Sequence, residues 1–291
     1  MTALQELDID WDVSPEAPSR YARDLSFLMS MTELRVLRIK GDSIGTLAPL
    51  AGLSELRDLD LENNEIADIS PLAGLAALTQ LNLTFNNIVD IEPVAGLAKL
   101  EVLNVRFNQV RRVPLLEGLP ALQHLDLEFN NIEEVDDLGG AASLERLWLG
   151  YNQIRAISAT AFTRMPALSY LGINDNLITS LESLETLDKL LHLQLGTNGI
   201  ADLTPLASLS SLNWLLLYNN QVADLSPLAG LGNLRTLHLN NNRIADIDPL
   251  FGLTTLQELD LNQNPLIPCA GLEQLTAALP RASVTFGECL P

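Results

Sequence analysis

Leucine recurs along this chain at one fixed interval, and that interval leaves few folds open to it. A unit opens at Leu34, Leu56, Leu78, Leu100, Leu122 and Leu144, and again at Leu168, Leu190, Leu212, Leu234 and Leu256, with a single longer step between Leu144 and Leu168. Each unit reads LxxLxLxxNxI, as in Leu56, Leu59, Leu61, Asn64 and Ile66. A further opening unit, Leu4, Leu7 and Ile9, precedes an irregular and longer step to Leu34. Self-similarity at such a period overrides local secondary-structure preference, because one unit is too short to bury its own apolar side and must stack on a neighbour.

Leu59 and Leu61 alternate with Asp58, Asp60 and Glu62, which sends the leucines to one face of a short strand and the acids to the other. Stacking pairs such strands in parallel, about 4.8 Å apart, so about twelve of them give a concave sheet about 50 Å long. Asn64, Asn86, Asn108, Asn130, Asn152, Asn176, Asn198, Asn220, Asn242 and Asn264 share the position where the chain leaves the strand. A carboxamide donates and accepts, so this column can satisfy backbone groups between coils. Asp12 and Asp42 take its place in the first two units. A carboxylate only accepts, which predicts a looser N-terminal end.

The other half of each unit, ADISPLAGL at Ala67 to Leu75, recurs with small variations. Ser70 before Pro71 reads as a cap and a first-turn proline, giving a short helical turn on the convex side. Asp68, Asp90, Asp202, Asp224 and Asp246 read as turn-capping acids rather than a metal column. Composition agrees with a core of one repeated aliphatic position, being 47% hydrophobic and only 5% aromatic. The net charge of -20 opposes a nucleic-acid partner. No apolar run reaches the roughly 18 residues of a membrane span, so no membrane insertion is expected. The start, MTALQELDIDWDV, has no basic segment followed by an apolar one.

These residues resemble the short leucine-rich repeats of bacterial internalins, which share this period, and, less closely, those of the regulatory subunit of protein phosphatase 1, from Leu34 to Leu266. The fold class expected is α/β: a leucine-rich-repeat solenoid, a curved horseshoe with a parallel sheet on its concave face and short 3-10 or helical turns on its convex face. The organisation expected is an irregular N-terminal repeat or cap over 1–33, the array over 34–266 and a C-terminal cap over 267–291. The resemblance implies protein recognition on the concave face, with no cofactor and no enzymatic activity. A secreted or cell-surface protein is the leading reading. The alternative is a cytoplasmic scaffold or phosphatase-regulator-like subunit. The chain departs from internalins in lacking an evident helical N-terminal cap and a following immunoglobulin-like module, and in the coil from Leu144, which carries ISATAFTRMPA in place of the proline turn.

Cys269 and Cys289 both follow the last complete repeat, where GLEQLTAAL suits a capping helix and ASVTF a final strand. Their confinement there favours a disulfide and an oxidising compartment, against free buried thiols. Ser14 to Ser30 lacks repeat phasing and reads as a loop and a helix in an enlarged convex segment, and the first strand's edge is expected to be uncovered.

The phase also assigns the ligand-binding face. Trp148, Tyr170, Trp214 and Tyr218 fall at mid-strand positions that no framework requirement fills with large rings, close to His192, Leu216 and His238. Gly150, Gly172 and Gly196 remove side chains between them, so a shallow groove walled by rings is expected. Phe85, Phe107, Phe129 and Tyr151 stand directly before the column asparagine, where sheet-edge packing and ligand contact are equally open readings. With Trp11 they complete the aromatics of this face. The N-terminal strands carry Glu6, Asp8, Asp10, Asp58, Asp60, Glu62, Asp126 and Glu128, answered in part by Arg38, Lys40, Arg106 and Arg146, a field that would draw a basic partner. GDSIG at Gly41 to Gly45 matches a nucleophile elbow, but its phase makes it a repeat turn with Ile44 buried. Asn82 to Thr84 forms a sequon whose asparagine faces the sheet.

Overall fold

The computed structural model describes residues 4–10, 24–41 and 43–291. Trp11, Asp12 and Asp42, most of the segment from Ser14 to Ser30, and the side chain of Asp10 lie outside the described residues. The chain forms two compact units, residues 1–132 with 138–147, and residues 133–137 with 148–291. The strands are β1 Glu6–Asp10, β2 Val36–Lys40, β3 Asp58–Asp60, β4 Gln80–Asn82, β5 Val102–Asn104, β6 His124–Asp126, β7 Glu134–Val135 and β8 Arg146–Trp148. They continue with β9 Ala156–Ile157, β10 Tyr170–Gly172, β11 His192–Gln194, β12 Trp214–Leu216, β13 Thr236–His238, β14 Glu258–Asp260 and β15 Ser283–Thr285, with one helix, α1 Cys269–Ala278.

In the first unit β1 to β6 pair in sequence order and in parallel, each residue opposite its equivalent one repeat away, as in Leu37, Leu59, Leu81, Leu103 and Leu125. The second unit pairs β10 to β14 by the same register and ends with β15 on β14. Among the described residues no strand covers the far edge of β1. The repeat leucines are the core: Leu56, Leu59, Leu61, Ile66, Leu72 and Leu75 are all 0% exposed. Burying each side chain stabilises by about 2 kcal/mol.

The asparagine column does what its chemistry allows. Asn108 accepts the Ile88 N–H at 2.9 Å and donates to the carbonyls of Leu83 at 2.9 Å and Val105 at 3.1 Å, so one buried side chain ties its own coil to the preceding one. Asn64, Asn86, Asn130, Asn176, Asn220, Asn242 and Asn264 repeat these bonds.

Opposite the sheet, 3-10 turns such as Ser70–Leu72 carry the proline at their second position. Ser70 is not the cap. The Asp68 carboxylate accepts the Ser70 N–H at 2.8 Å, and Asp90, Asp202, Asp224 and Asp246 do the same for residues two further on. The turn begins at Ser70 itself, so its free N–H points back to the aspartate. The ISATAFTRMPA coil closes differently: β9 pairs in parallel with β7, and Phe162 and Met165 fill the interior. Segment 24–30 holds a 3-10 turn, Ser26–Ser30, with Leu28 buried. At the other end α1 buries Leu272 and Leu275, and Cys269 is joined to Cys289.

Replacing Asn108 by alanine leaves the buried Ile88 N–H without a partner and takes one donor from each of the Leu83 and Val105 carbonyls, which keep Asn86 and Asn130, and is expected to lower stability by about 2 kcal/mol. Asn108→Asp keeps the acceptor but sets a buried carboxylate oxygen against those carbonyls, and is expected to cost at least as much at neutral pH. Chemical denaturation checks both, and a loss below about 0.5 kcal/mol for alanine contradicts the column's role.

Candidate functional site

The strand face pointing away from the core carries the side chains left free by the lattice. In the first unit it is a set of matched charges. Arg38 reaches Glu6 at 2.9 Å and Asp58 at 2.7 Å, while Lys40 reaches Asp60 at 2.7 Å and Glu62 at 3.2 Å. The hydrogen bonds to Glu6 and Asp60 hold both cations above their ordinary pKa. Arg106 pairs with Glu128 at 3.2 Å. The expected acidic field is thus inlaid with bases, each bridging neighbouring strands. A hollow of about 350 Å³ lies between Arg38, Asp58, Asp60, Gln80, Asn82, Val102 and Asn104. The sequon asparagine, Asn82, donates to Asp60 at 3.0 Å and accepts from Thr84 at 2.7 Å.

The residue before each column asparagine has a left-handed backbone. Asn63, Phe85, Phe107, Phe129, Tyr151, Asp175, Thr197, Asn219, Asn241 and Gln263 have φ between 54° and 59°. Sequence reasoning missed this, although Gly41 in the second coil, with φ 69°, and the asparagines and aspartate at this position were its signal. A phenylalanine there bears strain of about 1–2 kcal/mol. The rings offset it by stacking: Phe85 on Phe107 and Phe107 on Phe129, each at 4.2 Å between centroids, with the Arg106 guanidinium 4.9 Å from the Phe129 ring centre. Their faces are turned to one another, and Phe85 and Tyr151 stay exposed.

In the second unit the face changes character. Trp148, Tyr170, His192 and Trp214 form a row of rings on successive coils, with centroids 5.0, 6.0 and 6.2 Å apart. Trp214 is 38% exposed, and Trp148, Tyr170 and His192 are half-buried. The expected open groove is closed at Gly196 and narrow at Gly172. The Tyr218 ring occupies the space where a Gly196 side chain would stand, and Trp148 and Tyr170 flank the same space at Gly172. The Tyr218 ring beds into its gap, because an apolar face gains more from covering bare backbone than from standing in water. Burial, with the charge of Asp175 nearby, pushes the Tyr218 hydroxyl pKa up. Leu216 is half-buried beside this row. His238 stands apart from it, its Nε2 3.0 Å from Glu258 Oε1. Asn174 and Asp175, which the sequence pattern did not single out, lie within the ring group.

Profiles described as "Leucine Rich repeats (2 copies)" match residues 54–96, 210–251 and 232–275, and one described as "Leucine rich repeat" matches residues 77–132 and 142–200. An internalin, InlF, from Listeria monocytogenes aligns at 31% identity with a TM-score of 0.81, covering 90% of this chain and 77% of the internalin. The chain belongs to the internalin-like leucine-rich-repeat family. InlJ of Listeria monocytogenes shares the fold at 22% identity and TM-score 0.68, over 83% of this chain and 53% of InlJ. So does the leucine-rich-repeat protein FLRT2, solved in a complex with Latrophilin 3 and Unc5D, at 23% identity and TM-score 0.77, over 89% and 85%. No curated protein matches by sequence.

One column of this internalin-like array serves the backbone in some coils and not in others. Asp60, Asn82, Asn104, Asp126 and Asp260 each accept the N–H two residues ahead through a side-chain oxygen, at 2.9 to 3.2 Å. The equivalent residues Trp148, Gly172, Gln194, Leu216 and His238 surrender that bond.

Asp126 is half-buried, and burial pushes its carboxyl pKa up against the Glu128 N–H and Arg106, which pull it down. The folded state therefore disfavours the charged form, a penalty absent below the unfolded carboxylate pKa and fully present once pH exceeds the raised one. Asn104 makes the same backbone bond without charge, so Asp126→Asn is expected to stabilise the protein at about pH 7 and to lose that advantage near pH 3. Urea denaturation at the two pH values checks it; a variant less stable at neutral pH contradicts the assignment.

Proposed function

We propose that this chain recognises a protein through the open strand face of its second unit, and that it acts outside the cytoplasm as a surface or secreted binding protein. The observation that carries the reading is the exchange at mid-strand. Where other coils keep an aspartate or asparagine that serves the backbone, the coils of the ring row carry Trp148 and Leu216, flanked by Tyr170, His192, Trp214 and Tyr218. At Trp148 a framework bond is given up for a ring, and rings of this kind anchor protein interfaces with few rotors to freeze. FLRT2, of similar fold, is found in a multiprotein complex, which supports the same use of such repeats. The stacked Phe85, Phe107 and Phe129 of the first unit, and the exposed Tyr151 of the second, are further aromatic contacts that such a partner could use. The net charge of -20 favours a protein, and a basic one, over nucleic acid.

A partner captured from culture or host-cell material is expected to lose at least about 100-fold in affinity for the Trp148→Ala/Trp214→Ala double variant. Undiminished affinity by calorimetry defeats the reading. The location rests on the similarity to internalins and on the Cys269 to Cys289 bridge, which caps the last coil and suits an oxidising compartment. Protein isolated from its native source is expected to take up iodoacetamide only after reduction; free thiols in that material favour the cytoplasmic alternative.

A further inference from the structure

Asn174 is 5% exposed, and its Nδ2 donates to Asp175 Oδ2 at 2.9 Å, while its Oδ1 is buried and accepts no hydrogen bond. The carboxylate can only accept, so it fixes the amide: the oxygen, not the nitrogen, faces away from Asp175. A buried acceptor without a donor is destabilising, and framework needs do not account for it. A Cβ on Gly172 would lie 3.7 Å from this oxygen, 3.6 Å from Trp148 Cδ1 and 3.5 Å from Tyr170 Cε1. The oxygen and two rings therefore converge on the space that the glycine leaves.

An unpaired amide oxygen and two aromatic rings border that space. The amide oxygen lacks a donor, a ring face turned to a cation attracts it, and the Asp175 carboxylate holds the amide from its far side. The outward strand positions of this unit, from Trp148 to Gln263, also carry Glu258 and Asp260 and no lysine or arginine, unlike the first unit with its inlaid Arg38 and Lys40. An anion is repelled here, and a purely apolar group leaves the oxygen unpaired. A neutral sugar stacks on rings and brings hydroxyl donors, but it leaves the carboxylates unanswered.

We propose that the space over Gly172 is a subsite for a cationic side chain, lysine or arginine, of a protein partner, whose N–H bonds Asn174 Oδ1 while its charge lies against whichever of the Trp148 and Tyr170 rings stays down. The proposal rests on the ring face being a protein-recognition surface and adds the chemistry that enters it. Entry requires one ring to turn outward, since the oxygen is closed off when both lie down, and both rings are half-exposed and border solvent.

The test titrates the whole chain with N-acetyl-lysine methylamide, N-acetyl-arginine methylamide, the uncharged N-acetyl-norleucine methylamide and methyl glucoside, following the Trp148 indole resonance by NMR. At least one cationic amide is expected to shift it saturably, at concentrations about tenfold below those norleucine amide needs. Asn174→Leu and Asp175→Asn are each expected to weaken that response about tenfold. Asp175→Asn retains a residue suited to the left-handed backbone, so it keeps the test decisive if the leucine variant does not fold. No response to either cation, an equal response to norleucine amide, a stronger one to methyl glucoside, or undiminished cation binding in the folded variants overturns the subsite. The ring-surface reading is judged separately, by the protein partner's affinity for the double tryptophan variant, and stands or falls without the subsite.

Discussion

A single side-chain amide at one position of each coil is the interaction on which the rest of this structure depends. The leucines supply most of the apolar burial, but burial has no direction and would tolerate coils that slide or splay. The asparagine fixes them. Its oxygen takes an N–H from the preceding coil and its nitrogen takes carbonyls from both, with distances that barely vary between Asn86 and Asn242. Those bonds also over-determine the backbone just before the amide, which is why residues as unsuited to a positive φ as phenylalanine and glutamine are held there.

Much of this was legible because a strict leucine period converts a linear pattern into faces. The buried leucines, the asparagine column, the capping helix and the final strand all follow from phase and from what each group can donate or accept. The turn caps were harder. The proline at the second position and the aspartates as turn-capping acids can be read from the sequence, but the sequence also offered Ser70 as a cap, and only where the turn starts decides for Asp68 alone. The pairing of β7 with β9 left no pattern at all, because Glu134 and Val135 look like ordinary linker residues until the absence of a proline turn lets a second backbone segment approach.

The candidate site was legible in membership and not in relief. Phase alone puts Trp148, Tyr170, His192 and Trp214 on one face and in contact order. Side-chain torsions decide whether a glycine between rings is a floor or a bed, and no spacing rule contains them. Tyr218 lies over Gly196 because a phenol ring leaning along the strand covers backbone that would otherwise be bare. The same limit hid Asn174: an outward-facing asparagine reads as solvated until the surrounding rings are seen to bury it.

The two units use the same lattice to opposite electrostatic ends. In the first, Arg38 and Lys40 are each shared between two carboxylates, so the surface is already its own partner. Along the ring row of the second, the outward positions have shed both the bases and the backbone-serving aspartates, leaving rings, the Asp175 carboxylate and one unsatisfied amide oxygen. Each loss is destabilising where it occurs. Because the stability of a repeat array is close to a sum over neighbouring coils, such losses remain affordable as long as the leucine and asparagine columns beneath continue unbroken, and they do: Asn176, Asn198 and Asn220 keep their bonds directly under the ring row. The lattice can therefore leave its outward columns unsatisfied in one place without loosening the coils that present them.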